Sequence, residues 1–311
     1  TSNKFNKLFD RKRRDPESDI AQLDMDLASS IQSVIEDIVL KIANHVKKET
    51  GNDNLCLSGG VALNCVANGL LYKNGPFKRI WIQPAAGDAG SAIGAAMWVW
   101  HMVLNNDRKP INEFDRQLGS CLGPSFSSEQ VKEFLDDNEI PYLYIEDEDD
   151  LCSKVSSLIA NEKVVGWFQG RMEFGPRALG SRSILGDPRS KNMQSIMNLK
   201  IKYRESFRPF APMVRIENVG EWFEISSKSG IKNEFSSPYM LLVCKVKSNK
   251  LIDNGHLKHN LDDINSIRSV IPAVTHVDNS ARIQTVDQHM NSRLHKLLTS
   301  FYNDTECPIL I

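Results

Sequence analysis

The sequence lacks most of the features that would assign it quickly. No apolar run approaches the ~20 residues that cross a bilayer, so no membrane span is expected. Thr1-Ser2-Asn3-Lys4 has no apolar signal segment. It also lacks a starting Met, so the chain is expected to be a piece of a longer one. Six cysteines, at positions 56, 65, 121, 152, 244 and 307, make no CxxC pair. That argues against a disulfide frame or metal knuckle, and for reduced, packed thiols in a cytoplasmic protein. There is no GxxxxGKS/T phosphate loop, no HExxH, no GxSxG and no internal repeat. Net charge is nearly absent too: at -1 it gives no reason to expect nucleic acid as a partner.

What the chain does have is a local concentration of cations. Residues 171 to 215 hold ten Lys/Arg against three Asp/Glu. They are threaded through turn and aromatic residues, as in Phe174-Gly175-Pro176-Arg177-Ala178-Leu179-Gly180 and Phe207-Arg208-Pro209-Phe210. Guanidinium forks held in such turns suit phosphate and carboxylate oxygens, so the stretch reads as a pocket for a small phosphorylated ligand. The shorter run Arg11-Lys12-Arg13-Arg14 reads instead as a solvated entry segment.

At 311 residues, two domains are expected, with the boundary within the polar segment 105–127. Ahead of it, apolar residues from Leu27 to Val46 recur at helical spacing and predict a long helix over 24–49, packed against a sheet. Two strand–turn–helix units follow. Strand 54–58 leads through Gly59-Gly60 to a helix over 61–71; strand 79–83 leads through Pro84-Ala85-Ala86-Gly87-Asp88-Ala89-Gly90 to a helix over 91–101. This is α/β logic, with ligand turns at the carboxyl ends of strands. A single glycine pair is equally a plain tight turn; two such turns, one carrying an Asp, point more to an anion at a helix N-terminus.

Residues 129–150 carry ten acids and one Lys but no DxDxDG loop, so they read as an exposed helix and turn and not a calcium site. Further on, helices are expected over 151–161, over 190–200 with Ser190 as N-cap, and over 287–302. Strands are expected over 163–168, 209–214, 239–246 and 308–311, with 271–278 and 281–286 as a hairpin. Residues 248–268 read as a mobile polar loop. The histidines form no ligand pair on a shared helix face, and His256 and His259, neighbours in that loop, read against a metal.

Five motifs in order, Leu57–Gly69, Pro84–Ala96, Phe174–Arg189, Lys202–Pro212 and Ile271–Val286, resemble the ATP-dependent O-carbamoyltransferases, the group of nodulation protein U and the enzymes that carbamoylate tobramycin, cephamycin and ansamycin scaffolds. The resemblance runs from about residue 25 to 311. It implies that residues 1–110 are the C-terminal part of an actin-like ATPase-fold domain, similar to the tRNA threonylcarbamoyl transferases, and 111–311 a YrdC-like domain lacking its last segment. The implied chemistry joins carbamoyl phosphate and ATP (with Mg2+) into carbamoyl-adenylate and pyrophosphate. The carbamoyl group then passes to a hydroxyl-bearing acceptor.

By the same resemblance, Arg177, Lys202, Arg208 and Arg282 match ligands of carbamoyl phosphate or the adenylate. Arg171, Arg182, Arg189 and Arg204 match less well. Ser58, Gly59, Gly60, Asn64 and Gly87 match a nucleotide-contacting turn, and Asp88 matches a carboxylate that ligates a divalent metal, with iron a candidate. The family's upstream histidines and downstream NTSFN loop are not in this chain, so this piece is expected to hold no metal tightly and not to turn over. The competing readings are a sugar-kinase-like ATPase and a nucleotide- or RNA-binding module without catalysis. The acceptor and the oligomeric state are not readable from the sequence.

Overall fold

A computed structural model describes residues 2–109, 115–225, 235–252, 264 and 266–311. His256, His259 and part of the expected polar loop and boundary segment lie outside the described residues. The architecture is mixed α/β. A short α1 (Asn3–Leu8) precedes α2 (Gln22–Thr50). The Asp24 carboxylate accepts the Ala21 N–H at 2.9 Å to start α2, and Gly51, at φ 67°, ends it. Ala43, Val39 and Val46 pack on Leu71 and Phe77, whereas Ile31, Val34, Ile38 and Ile42 remain exposed. The apolar stripe therefore meets its neighbours over only part of its width.

β1 (Asn54–Leu57) runs parallel to β2 (Arg79–Ile82), and α3 (Cys65–Asn74) crosses between them. α3 begins at Cys65 and not at Val61 because Gly60–Leu63 first makes a 3-10 turn. Asn64 then caps the helix, accepting the Ala67 N–H at 3.1 Å. α4 (Gly90–Trp98) runs on into a π-turn at Val99–Val103.

Beyond the acidic α5 (Ser128–Asp137) lie α6 (Glu148–Ala160), β3 (Val165–Phe168) and its antiparallel partner β4 (Arg182–Leu185). α7 (Met193–Met197) is shorter than expected and passes into a π-turn over Asn198–Lys202. Ser190 is not its N-cap. Residues 187–190 form a turn in which Asp187 accepts the Arg189 N–H at 2.8 Å, and the Ser190 hydroxyl is buried without a partner.

The rest is a four-stranded sheet: β5 (Met213–Arg215), then β6 (Leu242–Lys245) after a one-turn α8 (Val219–Trp222), then β7 (Ser280–Val286), and β8 (Ile309–Leu310) after α9 (Ser292–Thr305). The order is β6-β7-β5-β8, with β5 parallel to β7 and the outer pairs antiparallel. β5 starts only at Met213, since Pro209 and Pro212 cannot donate to a ladder. The expected hairpin of 271–278 with 281–286 does not form. Pro272–Val274 is a 3-10 turn, and the Thr275 hydroxyl donates to the Ile271 carbonyl at 2.9 Å, so that segment satisfies itself locally. β7 pairs with β6 and β5 instead. α9 starts at Ser292, not Asp287, because the Asp287 carboxylate closes a turn on the His289 N–H at 2.8 Å.

α6 and α9 cover the sheet, with Ile159, Leu294, Leu298 and Phe301 fully buried against Val214 and Ile283. Ala62, Ile82 and Ala86 join the same continuous core. Among the described residues, no helix is long and apolar enough to cross a membrane.

Candidate functional site

The loop between β3 and β4 is built to hold one arginine forward. Glu173, itself buried, turns Oε1 onto three backbone N–H groups: Leu179 at 2.8 Å, Ser181 at 2.7 Å and Arg182 at 3.3 Å. Gln169 and Gln284 bind the Gly180 and Leu179 carbonyls at 2.9 and 2.8 Å. Gly180, at φ +102°, allows the close pass over α9, where a Cβ would stand 2.2 Å from Leu294 Cδ2. With its return limb fixed, the loop presents Arg177 near its tip.

Arg177 lies with Lys202, Arg204 and Arg282 around one cavity of about 180 Å³. Pro176, Pro209, Phe210, Met213 and Met240 supply the apolar part of its wall. Three of the four cations expected at the site are thus brought together. Arg282 arrives from β7, in mid-sheet, and not from a hairpin. Arg208 is exposed and does not line the cavity. Arg204, the weaker match, does.

These cations are poorly satisfied. Nε of Arg177 and Nε of Arg282 are buried with no hydrogen-bond partner. Arg177 donates once, from Nη2 to the Leu63 carbonyl at 3.2 Å. Among the described residues, no carboxylate pairs with Arg177, Lys202, Arg204 or Arg282. The acids of the stretch are engaged elsewhere: Glu205 with Arg14, Asp187 with Arg189 at 2.7 Å, and Glu173 with backbone. Burial, and then the neighbouring Arg282, pushes the Arg177 pKa down; burial, then Arg208 and Arg282, does the same to Arg204. Like charges in an apolar setting repel and are poorly solvated, and an oxyanion between them relieves both costs.

The glycine-rich turns adjoin this pocket. Gly59 N–H donates to the Ala86 carbonyl at 2.8 Å, which ties the two turns together. Gly175, at φ +131°, packs on them: a Cβ there would lie 3.4 Å from Ala85 Cβ. Ser58, Gly59 and Gly60 are exposed, and nothing lies within 4 Å of a Cβ built on either glycine, so a ligand has room to reach the backbone. Gly87 is half-buried beside Leu63. Asn64 is occupied: besides capping α3 it donates to Gln32 Oε1 at 2.9 Å and accepts from Gln32 Nε2 at 3.3 Å. Asp88 is exposed, and among the described residues no three His, Cys, Asp or Glu side chains gather as a metal site. One carboxylate does not fit a metal by itself, and no chemistry is assigned to one here.

Sequence reasoning missed Glu173 and Asn198, the two buried side chains that hold the pocket's loops. The signal for Glu173 was its position as an acid among cations that outnumber it. Asn198 left none, since its role depends on a loop folding back over it.

Comparison with known proteins shows the family. Residues 1–97 match the family described as carbamoyltransferase N-terminus, and residues 156–311 match carbamoyltransferase C-terminus. A functionally uncharacterized Synechocystis protein is 52% identical over 100% of this chain and 50% of its own length. Nodulation protein NolO of Bradyrhizobium diazoefficiens is 38% identical over 92% of this chain and 47% of its own length. The 3'-hydroxymethylcephem-O-carbamoyltransferase of Amycolatopsis lactamdurans is 32% identical over 79% of this chain and 39% of its own length. The chain spans about half the length of the first of these relatives, and less of the others. On the two family matches, the chain belongs to the carbamoyltransferase family.

Proposed function

We propose that the whole protein is an O-carbamoyltransferase and that the Arg177–Lys202–Arg204–Arg282 pocket is where carbamoyl phosphate is activated by ATP. The observation that carries this reading is a set of cations gathered without carboxylates, two of them with buried, unpartnered Nε atoms. Carbamoyl phosphate, the carbamate it yields and ATP are all anions, so gathering them brings like charges together, and fixed guanidinium and ammonium groups offset that repulsion.

Water releases phosphate from carbamoyl phosphate and leaves carbamate. A carbamate oxygen attacks the α-phosphorus of ATP, forming carbamoyl-adenylate and expelling pyrophosphate. An acceptor hydroxyl then takes the carbamoyl group and AMP leaves. Arg177 and Arg282 would hold phosphoryl oxygens bidentately, and Lys202 would act as a mobile point charge. Ser58, Gly60 and Gly87 would offer backbone N–H groups to a nucleotide, and Gly59, whose N–H is held by the Ala86 carbonyl, would leave it room to approach. The cations gather around one cavity, from turns rich in Gly and Pro, which favours this reading over an RNA grip, which would want an exposed cationic stripe with stacking aromatics.

The test is ATP–pyrophosphate exchange in the full-length protein. Exchange that requires carbamoyl phosphate and falls sharply in Arg177→Ala and Lys202→Ala supports the reading. Exchange that needs no carbamoyl phosphate, or that survives both substitutions, overturns it.

A further inference from the structure

By family resemblance Arg208 is the ligand of its segment, yet Arg204 is the arginine that reaches the cavity. The reason lies beneath it. Asn198 is fully buried at the start of the π-turn. Its Oδ1 accepts from Arg204 Nε at 2.6 Å, and its Nδ2 donates to the Ser206 and Arg208 carbonyls at 3.0 and 2.7 Å. Its own carbonyl accepts the Arg204 N–H at 3.1 Å. One amide side chain therefore fixes both the guanidinium and the backbone that follows.

Three more features leave the guanidinium available. It lies over the Phe210 ring at 4.7 Å from the centroid, which holds its plane. Tyr203 takes the left-handed conformation, φ 48°, so the chain reverses between Lys202 and Arg204. Glu205, the adjacent acid, is drawn away by Arg14, and Glu17 holds the Ser206 N–H at 2.9 Å. Among the described residues, the two terminal nitrogens of Arg204 make no hydrogen bond. A neutral amide orients an arginine without cancelling its charge, whereas an aspartate in the same place would cancel it.

We infer that Arg204 contacts the bound oxyanion through its terminal nitrogens, and that Asn198 is the residue that positions it. This rests on the anion-pocket reading above. The test is calorimetric titration of inorganic phosphate into the full-length protein and its Arg177→Ala, Arg204→Met, Asn198→Ala and Arg204→Met/Asn198→Ala variants, with melting followed separately.

Arg204→Met is expected to weaken phosphate binding by about tenfold or more, the worth of one charge-assisted contact. Asn198→Ala is expected to weaken it less, and not at all once Arg204 is already Met, although the melting temperature still falls. If Asn198→Ala does not melt cooperatively, Asn198→Ser is read the same way. Loss of binding in Arg177→Ala with full binding in Arg204→Met would overturn the assignment of Arg204 and leave the pocket standing. Full binding in Arg177→Ala and in Arg204→Met alike would overturn the pocket itself. Equal weakening by Asn198→Ala with and without Arg204 would make Asn198 a fold residue and not a positioning one.

Discussion

The glycine-rich turns at 57–64 and 84–90 and the basic pocket behind them offer a phosphate two different things. The turns offer exposed backbone with open space around Gly59 and Gly60. The pocket offers side-chain charge, partly desolvated and left without counter-charge. The first arrangement costs the apo protein little, because exposed N–H groups are solvated. The second leaves cations poorly solvated until an anion arrives, so the pocket is the region where ligand and stability should be most strongly coupled.

Arg282→Met separates the two regions most strongly. It should cut phosphate affinity by about a hundredfold, since it removes both a charge and a fork. Unliganded stability should hold or rise, because a half-buried cation with no counter-charge among the described residues is gone. Calorimetry and thermal melting read both. Next is Glu173→Ala, which orphans three backbone donors and should cost about 3 kcal/mol by denaturant titration; Glu173→Gln, which keeps an acceptor, should cost less.

The glycines give a third contrast. Gly180→Ala meets Leu294 and an unfavourable φ, for about 2 kcal/mol of destabilisation, whereas Gly60→Ala, in open space, should leave stability unchanged. Reduced ATP affinity in a fully stable Gly60→Ala would favour nucleotide contact at that turn. Asn64→Ala should cost about 1 kcal/mol as a lost helix cap.

The smallest effect is a pH dependence. Burial pushes the His276 pKa below its ordinary 6.5 against the opposing pull of Asp278, and Arg282 and Lys245 act in the same direction as burial. The unfolded chain then binds the proton more readily than the folded one. The stability that neutral His276 contributes is therefore present above about 6.5 and lost as pH falls through that value. His276→Gln should flatten the slope of stability between about pH 7 and pH 5.

Much of this was legible in the sequence where the pattern is local. The period of Leu27 to Val46 foretold α2, and alternation of strand, glycine turn and helix foretold the parallel β1–β2 pair. The cation-rich stretch foretold the pocket. Errors arose where side chains satisfy backbone over short range. Thr275 closed a turn where alternation suggested a strand, Asp187 displaced Ser190 as the organiser of its turn, and Asp287 delayed α9. That Arg204 and not Arg208 lines the cavity has a different cause. Two arginines four apart in a turn-rich segment are indistinguishable until a buried amide, Asn198, selects one of them. Such selection depends on contacts made after the chain folds back.

Direct titration of carbamoyl phosphate into the full-length protein tests whether the unpaired cations form an anion site. Saturable binding is expected that weakens as salt is raised and is lost in the Arg177→Ala/Arg282→Met variant while that variant remains folded. Unchanged carbamoyl phosphate affinity in the folded double variant would contradict that expectation.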